Sequence, residues 1–597
     1  MIRTMLKTLS YKIKKWRLRQ NSQRNFLIYC SVFVGFFGGL AATALKFLVH
    51  TMEEISRNIS SHLPFHIIYV FLPALGIFLT VAYQHLINRD KIQKGIGNIL
   101  VNIKRNKSNL RYNNIYSHLI TSSLTVGFGG SAGLEAPIVS TGAAIGSNTG
   151  KFFNLSPYEK TVLIAAGASA GIAAVFNSPI AGVLFSLEIL IGEIKIPTFI
   201  PLLIASATGV VVSKLLYSGQ LFHLVTEGWV FSALPFYIVL GLFSGWISVY
   251  ISKVGAVLEK GIFVKRKRYV RALAGGLILG FIIIIFPALF GEGYHSVQEI
   301  LNGNINVLKQ ESLFPTLLAH PWVMILFIAA LVFMKIIAAG ITIGSGGNGG
   351  TFAPTMFTGA FMGLFVAFTV NQTGLIHLNT SNFIAVGMAG ALSGVLHAPL
   401  TAIFLIAEIT GGYVLFIPLM IVSALSYIIA RLFNPHNMYW HDLIHEKNIL
   451  PDEDYDMLNA IRLDEIINKQ FITINKETGI KDFYRSLATN SANIFAVVDQ
   501  EGILEGILLI DQVRKHLFDE EIADDTVADI MTLPPAIINY DQSVSSVMGL
   551  FDKLDVWQLP VIRNDKFFGF ISKSALLAKY REGIIKQHKE ADLFSQS

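Results

Sequence analysis

Two short glycine-rich segments have the composition of anion-binding turns. The first reads GLEAP at residues 133–137, and the second reads GTFAP at residues 350–354. Each follows a run rich in glycine and leads into a new apolar segment, so each is predicted to begin a helix. The first amide groups of a helix lack intrahelical acceptors, and the helix dipole adds partial positive charge there. Two such N-termini would hold an anion without a full positive charge, which allows its release.

Glu135 stands inside the first segment. A carboxylate within a membrane-spanning region is costly and by default functional. When it is charged it can occupy the anion site itself, and when it is protonated it can leave that site. We therefore interpret Glu135 as both a gate and a proton carrier. The alternative is a glutamate that only caps its own helix.

Each of these segments is followed by a second matching block. NSP at residues 177–179 leads to Glu188, and HAP at residues 397–399 leads to Glu408, with the same interval from proline to glutamate. One half of the chain therefore echoes the other, and broken helices at corresponding places predict a transport site near the bilayer midplane. We interpret the two glutamates as a structural pair that binds polar groups at helix ends, and His397 as a packed, hydrogen-bonded side chain.

The chain is far too apolar for an ordinary soluble protein. Of its 597 residues 52% are hydrophobic and 15% are charged, and the mean hydropathy is +0.54. Apolar segments run from about residue 25 to about residue 433, some of them clean spans (67–88 and 272–290) and others interrupted by Gly, Ser and Pro (121–150, 163–190, 336–370 and 383–410). Since unpaired amides cannot face lipid, the interrupted segments must be buried in protein or line a watery cavity, and we favour the cavity.

The basic residues predict the orientation of the chain. Residues 1–24 carry eight Lys or Arg and no acid, and further basic clusters lie at 104–111 and 265–271. The positive-inside tendency makes these regions cytoplasmic, and we interpret them as topology signals rather than a nucleic-acid surface. Cys30 is the single cysteine and lies in the first span, which excludes a disulfide framework.

The tail after residue 450 is acidic and polar, which predicts a soluble domain. Residues 462–518 and 527–585 look like two copies of one small α/β unit. Each copy has an apolar strand (495–498 or 559–562), a turn, a strand opened by a glycine (Gly506 or Gly569) and then a helix.

Taken together, these motifs resemble the CLC family of chloride channels and chloride/proton exchangers over nearly the whole chain. GLEAP resembles the family's G-R/K-E-G-P segment, GTFAP resembles its G-x-F-x-P segment, and residues 167–188 (GASAGIAAVFNSPIAGVLFSLE) closely resemble the block between them. The tail resembles the paired CBS domains of many members. The resemblance implies an all-α polytopic membrane domain (25–440) of two inverted-topology repeats, a basic N-terminal segment (1–24) and CBS domains at 462–518 and 527–585. It also implies a homodimer with one pore in each subunit.

The resemblance also implies roles for single residues. Glu135 matches the gating glutamate, and the backbone N–H groups of Thr351 and Phe352 match those that bind the central anion. Tyr439, in NMYWHDL, matches a tyrosine whose hydroxyl contacts that anion. The remaining residues of the two turns complete the predicted anion-binding set; they are Gly133, Leu134, Ala136 and Gly350.

Three departures from the family pattern involve four positions. Ile96, in Gly95-Ile96-Gly97, replaces the central serine of the usual G-S-G-x-P segment and offers an anion no hydrogen bond. Ile189 replaces the exchangers' internal proton-accepting glutamate and cannot relay a proton. Leu134 and Ala136 replace the usual basic residue and glycine.

The CBS-like tail departs as well. Nucleotide-binding units carry a Ser or Thr and then an Asp after the glycine-opened strand. These positions are Leu509 and Gln512 in the first copy, and Ser572 and Ala575 in the second. The ribose-binding carboxylate is absent from both, so we favour a dimerising, gating-coupled module over an adenine-nucleotide sensor.

The sequence therefore predicts passive or weakly coupled chloride conduction gated by Glu135, in a plasma membrane, with the N-terminus and tail cytoplasmic. A chloride/proton antiporter with a different proton path is the alternative. A cation transporter is disfavoured because the intramembrane carboxylates identified (Glu135, Glu188 and Glu408) are not clustered. No catalytic or metal-ligand spacing occurs, so we expect no enzymatic activity, cofactor or metal. The expected partners are chloride or a similar anion, protons, lipid and a second copy of the chain.

Overall fold

A computed structural model describes residues 23–61, 65–87, 95–192, 196–217, 228–260, 266–447, 461–487, 493–510 and 526–582. The chain divides into two compact units, Met1–Asn448 and Ile449–Gln596. The basic segment 1–22 lies outside the described residues, as do residues 511–525, which include Gln512.

The first unit is entirely helical over its described residues. The helices of its first half are α1 (Gln23–Ser61), α2 (Phe65–Leu86), α3 (Ile96–Arg105), α4 (Asn114–Gly127), α5 (Glu135–Phe152), α6 (Pro157–Phe176), α7 (Pro179–Phe185, continued by a π-helix Ser186–Ile191) and α8 (Ile196–Leu216). Those of its second half are α9 (Leu234–Lys260), α10 (Arg268–Ile285), α11 (Tyr294–Leu301), α12 (Val307–Gln310), α13 (Pro321–Gly344), α14 (Phe352–Thr373), α15 (Thr380–Leu396), α16 (Pro399–Ile409), α17 (Phe416–Phe433) and α18 (Met438–Lys447).

Nine helices within the described ranges are long and apolar enough to cross a membrane, by length and composition. Cys30 is buried in the first of them. Local sequence explains where such helices begin. At the start of α6 the Ser156 hydroxyl accepts from the Glu159 amide (3.2 Å), the Glu159 carboxylate accepts from the Ser156 amide (2.7 Å), and Pro157 occupies the first turn.

Close helix packing repeats in the two halves. A Cβ on Gly142 of α5 would lie 2.1 Å from the Gly167 carbonyl oxygen of α6. At the matching place a Cβ on Gly359 of α14 would lie 2.3 Å from the Gly387 carbonyl oxygen of α15. Only glycine allows such backbone contact, so each half builds one tight helix pair from small residues.

The two halves also stabilise each other's broken helices. Glu408, at the end of α16, accepts hydrogen bonds from the Ile180 (3.1 Å) and Ala181 (2.9 Å) amides of α7. Glu188 in turn accepts from the Leu400 (3.2 Å) and Thr401 (2.7 Å) amides of α16. The predicted structural pairing of these carboxylates with helix ends is confirmed, and it is reciprocal.

Asn177 and His397 end their helices in the same way. Both are C-cap residues in the left-handed conformation, with φ of 55° and 54°. The His397 ring packs edge-on against Tyr427 at 5.7 Å. The matching position of these residues in the sequence therefore reflects a shared turn, and His397 is packed, as expected.

The interrupted segments were expected to line a cavity, and most of their length does not. Helices α5, α6, α14 and α15 are buried along nearly all their residues. Open space borders the turns that precede α5 and α14, together with Ala136 of α5 and Val175 of α6. The interrupted segments are therefore mainly buried in protein. Burial in protein was the other possibility that the need for paired amides allowed.

The second unit contains two sheets. Its strands are β1 (Ile467–Asn468), β2 (Thr473–Ile474), β3 (Ile494–Val498), β4 (Leu504–Leu509), β5 (Ile538–Asn539), β6 (Gln558–Arg563) and β7 (Lys566–Ser572). Its described helices with defined bounds are α19 (Ile480–Leu487), α20 (Val527–Ile530) and α21 (Val544–Leu554).

The two sheets have the order β2-β3-β4 and β1-β7-β6-β5, and each contains an antiparallel hairpin flanked by a parallel strand. Strand β1 pairs with β7, so the first copy lends a strand to the second. Gly506 and Gly569 were expected to open their strands. They lie inside β4 and β7 instead, beside register shifts of the hairpins, where a side chain is least tolerated.

Candidate functional site

The GLEAP and GTFAP turns meet in the first unit. The Gly133 amide donates to the Gly350 carbonyl at 2.8 Å, and the Gly350 amide donates to the Gly133 carbonyl at 2.8 Å. This isolated antiparallel bridge places the N-termini of α5 and α14 side by side. Two helix ends with partial positive charge therefore converge on one point, as the sequence predicted.

Glu135 lies at this convergence and is 1% exposed. Its Oε1 atom accepts a hydrogen bond from the Tyr294 hydroxyl at 2.6 Å. The carboxylate also interacts with the backbone of Ala353, in the first turn of α14. It interacts with the Glu135 backbone of its own helix as well, so the side chain lies between the N-termini of α5 and α14, where an anion would bind.

A vestibule of about 560 Å³ lies on one side of Glu135. Its wall includes Leu134, Glu292 and Tyr294, together with the charged or titratable residues Lys46, His50, Glu53, His295 and Glu311. Glu135 is not part of this wall, because Leu134 and Tyr294 border the vestibule in front of it. The Glu135 carboxylate is therefore enclosed.

A smaller cavity of about 240 Å³, which we call the inner cavity, lies beside the same two turns. Ile96, Ala136, Gly350, Thr351 and Tyr439 all line it. The Tyr439 hydroxyl is buried and has no hydrogen-bond partner among the described residues. An unpaired buried hydroxyl is costly unless a ligand or water fills the gap, so this cavity has the character of a binding site.

Not every residue of the predicted anion-binding set offers a free amide. The amides of Gly133 and Gly350 are paired with each other, and the Leu134 amide donates to Glu292 Oε1 at 3.1 Å. Within the predicted set, the groups left to donate a hydrogen bond to an anion are therefore the amides of Ala136, Thr351 and Phe352 and the hydroxyl of Tyr439. Of these, the Phe352 ring is packed against Phe176, with ring centroids 5.8 Å apart.

Two of the departures from the family pattern, Ile96 and Ile189, lie in different places. Ile96 lies at the start of α3 with its side chain buried at the inner cavity, so an apolar group stands where a hydroxyl would face an anion. Ile189 is 2% exposed in the π-helical end of α7 and lines neither of these cavities.

Three residues beside Glu135 were missed by the sequence analysis. Glu292 adds a carboxylate to the three that were identified, and the Tyr294 hydroxyl binds Glu135 directly. Lys335 is fully buried in α13, where its Nζ atom donates to the Gly291 carbonyl at 3.0 Å. The sequence alone could have indicated Lys335, because it is the single charged residue in the apolar helix α13.

Two converging helix N-termini, an enclosed carboxylate, two neighbouring cavities and the long apolar helices are the features of a polytopic membrane transport protein. The sequence profile of the voltage gated chloride channel family matches residues 75–431, and that of the CBS domain matches residues 527–582. The first match covers more than half of the chain. The protein therefore belongs to the CLC family of anion transport proteins.

Individual relatives agree with this assignment. A putative chloride channel protein ClcB-like of Ralstonia nicotianae is 30% identical over 333 residues, which cover 53% of this chain and 72% of the relative. Chloride channel protein CLC-f of Arabidopsis thaliana is 24% identical over 514 residues, covering 74% of this chain and 64% of the relative.

Solved structures share the fold. A slow cyanobacterial Cl−/H+ antiporter aligns with a TM-score of 0.61 at 21% identity, over 72% of this chain and all of that chain. A eukaryotic CLC transporter aligns with a TM-score of 0.57 at 17% identity, over 95% of this chain and 98% of that chain. The chain is therefore a multi-pass membrane protein with the CLC fold and a CBS pair.

Proposed function

We propose that this protein is a chloride channel or weakly coupled chloride conductor whose gate is Glu135. The observation that carries the proposal is the position of the Glu135 carboxylate, which begins α5 but also reaches the N-terminus of α14. It accepts from the Tyr294 hydroxyl and interacts with its own backbone and with that of Ala353. An ionised carboxylate is itself an anion, so it competes with chloride for the partial positive charge of this helix end.

Protonation opens the gate in this mechanism. A neutral carboxyl group gains less from the helix dipole than a carboxylate does, so it yields the position to chloride. Chloride then passes between the vestibule and the inner cavity along the first-turn amides of α5 and α14. Dipoles rather than full charges line the path, which keeps the anion from binding too tightly to leave.

The inner cavity supplies the second part of the path. The Tyr439 hydroxyl is buried there without a described partner and would donate to the anion. Ile96 faces the same cavity and adds only apolar surface. We therefore expect weaker anion binding here than in members that carry the serine hydroxyl, and faster release.

A chloride/proton antiporter is the second candidate, and one observation favours it. Glu259, near the end of α9, lines the inner cavity together with Tyr439. It supplies a carboxylate at this cavity, whereas Ile189 has no titratable side chain. The cyanobacterial structure with the same fold is itself named an antiporter.

One flux experiment separates the two candidates. Purified full-length protein is reconstituted in liposomes, and chloride efflux and external pH are recorded together. Chloride release without opposing proton uptake supports the channel or uncoupled conductor. Proton uptake in fixed proportion to chloride establishes the antiporter, and its loss in Glu259→Gln would identify the inner acid. Absence of any chloride flux would overturn both.

The setting of the protein follows from the same proposal. We place it in the plasma membrane as a homodimer, with the basic N-terminus and the tail in the cytoplasm. The tail acts as a dimerising module coupled to gating, and the missing ribose-binding carboxylates argue against adenine nucleotide as its ligand. The polar groups of the site serve anion transport in this proposal, and none of them is assigned a catalytic role.

A further inference from the structure

A single tight turn holds the gate from the vestibule side. Gly291 and Gly293 both have left-handed backbone conformations, with φ of 58° and 83°, and Glu292 lies between them. Side chains other than glycine are strained at such angles, so the chain uses two glycines to present one carboxylate. A Cβ on Gly293 would also lie 2.6 Å from the Phe357 ring, which fixes the turn against α14.

This turn contacts two neighbouring residues of the GLEAP segment, Leu134 and Glu135. Glu292 Oε1 accepts from the Leu134 amide at 3.1 Å, and the Tyr294 hydroxyl donates to Glu135 at 2.6 Å. Lys335 holds the turn from behind, because its Nζ atom donates to the Gly291 carbonyl. Glu135, Glu292 and Lys335 interact electrostatically with one another.

The charges of this cluster do not balance. Three carboxylates (Glu53, Glu135 and Glu292) face two ammonium groups (Lys46 and Lys335), so the fully ionised cluster carries one uncompensated negative charge. Like charges at close range disfavour joint ionisation, and a single proton makes the cluster neutral. Glu292 also borders the vestibule, so that proton can come from water there.

Resting on the proposed function, we propose that Glu292 is a second acid of the gate, which shares one proton with Glu135 and thereby sets the pH at which chloride passes. The proton moves from vestibule water to a carboxylate oxygen of the pair and returns by the same route. Glu292 acts through Glu135 and is a positioning residue for the gate. The other charged or titratable groups around it are Glu53 and Lys46 of α1, Tyr294 and Lys335, with His50, His295 and Glu311 farther along the vestibule wall.

The test measures chloride efflux from liposomes over a series of pH values imposed equally on both sides. In Glu292→Gln the amide oxygen can still accept from the Leu134 amide, but the second negative charge is gone. Glu135 then faces Lys335 alone and holds its proton less tightly. We expect the midpoint of the pH profile to fall by about one pH unit. Lys335→Gln removes the compensating charge, so its midpoint should rise by a similar amount.

Two controls separate this role from a structural one. Glu311→Gln removes a carboxylate from the same wall, but Glu311 interacts with His295 and Glu299 rather than with the gate, so the midpoint should not move. In a Glu135→Gln background the flux should no longer depend on pH, and adding Glu292→Gln should change nothing.

The outcomes are distinct for the two proposals. A Glu292→Gln profile that keeps the wild-type midpoint, or only scales the rate at every pH, would overturn the role of Glu292. Opposite midpoint shifts in Glu292→Gln and Lys335→Gln would support it, and either variant suffices if the other does not fold. Wild-type protein without chloride flux at any pH would instead overturn the proposed function.

Discussion

Gly133 and Gly350 come from different halves of the chain and exchange both of their backbone hydrogen bonds at 2.8 Å. A Cβ on Gly133 would lie 2.0 Å from Glu135 Oε2, and a Cβ on Gly350 would lie 2.7 Å from the Ala136 Cβ. The glycines of the two motifs therefore serve the close approach of two helix ends. The proposed anion site depends on this bridge, because the bridge brings the two helix N-termini together.

Tyr439→Phe tests whether the unpaired hydroxyl serves the anion. The variant removes no described protein hydrogen bond, so thermal stability should stay unchanged or rise slightly. Chloride affinity should fall roughly fivefold, the equivalent of about 1 kcal/mol for one hydrogen bond. Titration calorimetry with chloride and thermal unfolding of the purified protein measure the two quantities.

The matched control is Tyr237→Phe. Tyr237 is also buried, but its hydroxyl is hydrogen-bonded to the Asn382 side chain. Its loss should lower the unfolding temperature and leave chloride affinity intact. Equal chloride affinity in Tyr439→Phe and the wild type would remove Tyr439 from the anion site.

Ile96→Ser restores a hydroxyl at the wall of the inner cavity. We expect chloride to bind roughly fivefold more tightly, since one hydrogen bond contributes about 1 kcal/mol. The lost apolar burial should at the same time lower the free energy of unfolding by about 2 kcal/mol or more. Calorimetric titration against chloride gives the affinity.

Ile99→Ser separates these two effects. Ile99 lies on the same helix and is 2% exposed, but it does not line the cavity. It should lose stability and gain no affinity. A gain of affinity in both variants would show that a looser α3, and not the added hydroxyl, is responsible.

Glu408→Ala tests the reciprocal contact between the two halves. It leaves the Ile180 and Ala181 amides without their carboxylate acceptor, and hydrogen bonds to charged groups contribute about 1.5–3 kcal/mol each. We expect a faster rate of thermal inactivation in detergent, with Glu188→Ala showing a loss of similar size. Glu408→Gln keeps one acceptor oxygen and should lie between wild type and alanine. Unchanged inactivation rates would mean that the two halves do not depend on these contacts.

Asp464→Asn tests a contact inside the second unit. The Tyr540 hydroxyl donates to the Asp464 carboxylate at 2.6 Å, and this hydrogen bond lowers the pKa of Asp464 below its ordinary value of 3.8. A lowered folded-state pKa stabilises the fold above pH 3.8, and the effect is lost as the pH falls through the lower folded value. Hydrogen exchange of β1 and β5 amides should be faster in the variant at neutral pH.

The difference between Asp464→Asn and wild type should vanish in strong acid, where the wild-type carboxyl is protonated. Asp482→Asn serves as the control, since it replaces an acidic residue of the same unit outside this contact. An exchange difference that persists at every pH would assign the effect to altered shape and not to the charge.

Much of the fold was readable from the sequence because its signals are local. The spans, the broken helices at GLEAP and GTFAP, the acidic tail and the repeat all follow from hydropathy and from glycine and proline positions. The predicted pairing of Glu188 and Glu408 with helix ends was also correct, since a carboxylate inside a span needs donors and helix ends supply them.

Only the tertiary structure decided which groups share the site. Glu292, Tyr294 and Lys335 lie far from GLEAP in the chain, and only helix packing brings them to Glu135. Packing also decided that the amides of Gly133, Leu134 and Gly350 are already occupied, which a motif cannot reveal. Local sequence determines where a helix begins and which charge its end carries, whereas the partners of that end depend on contacts between distant segments.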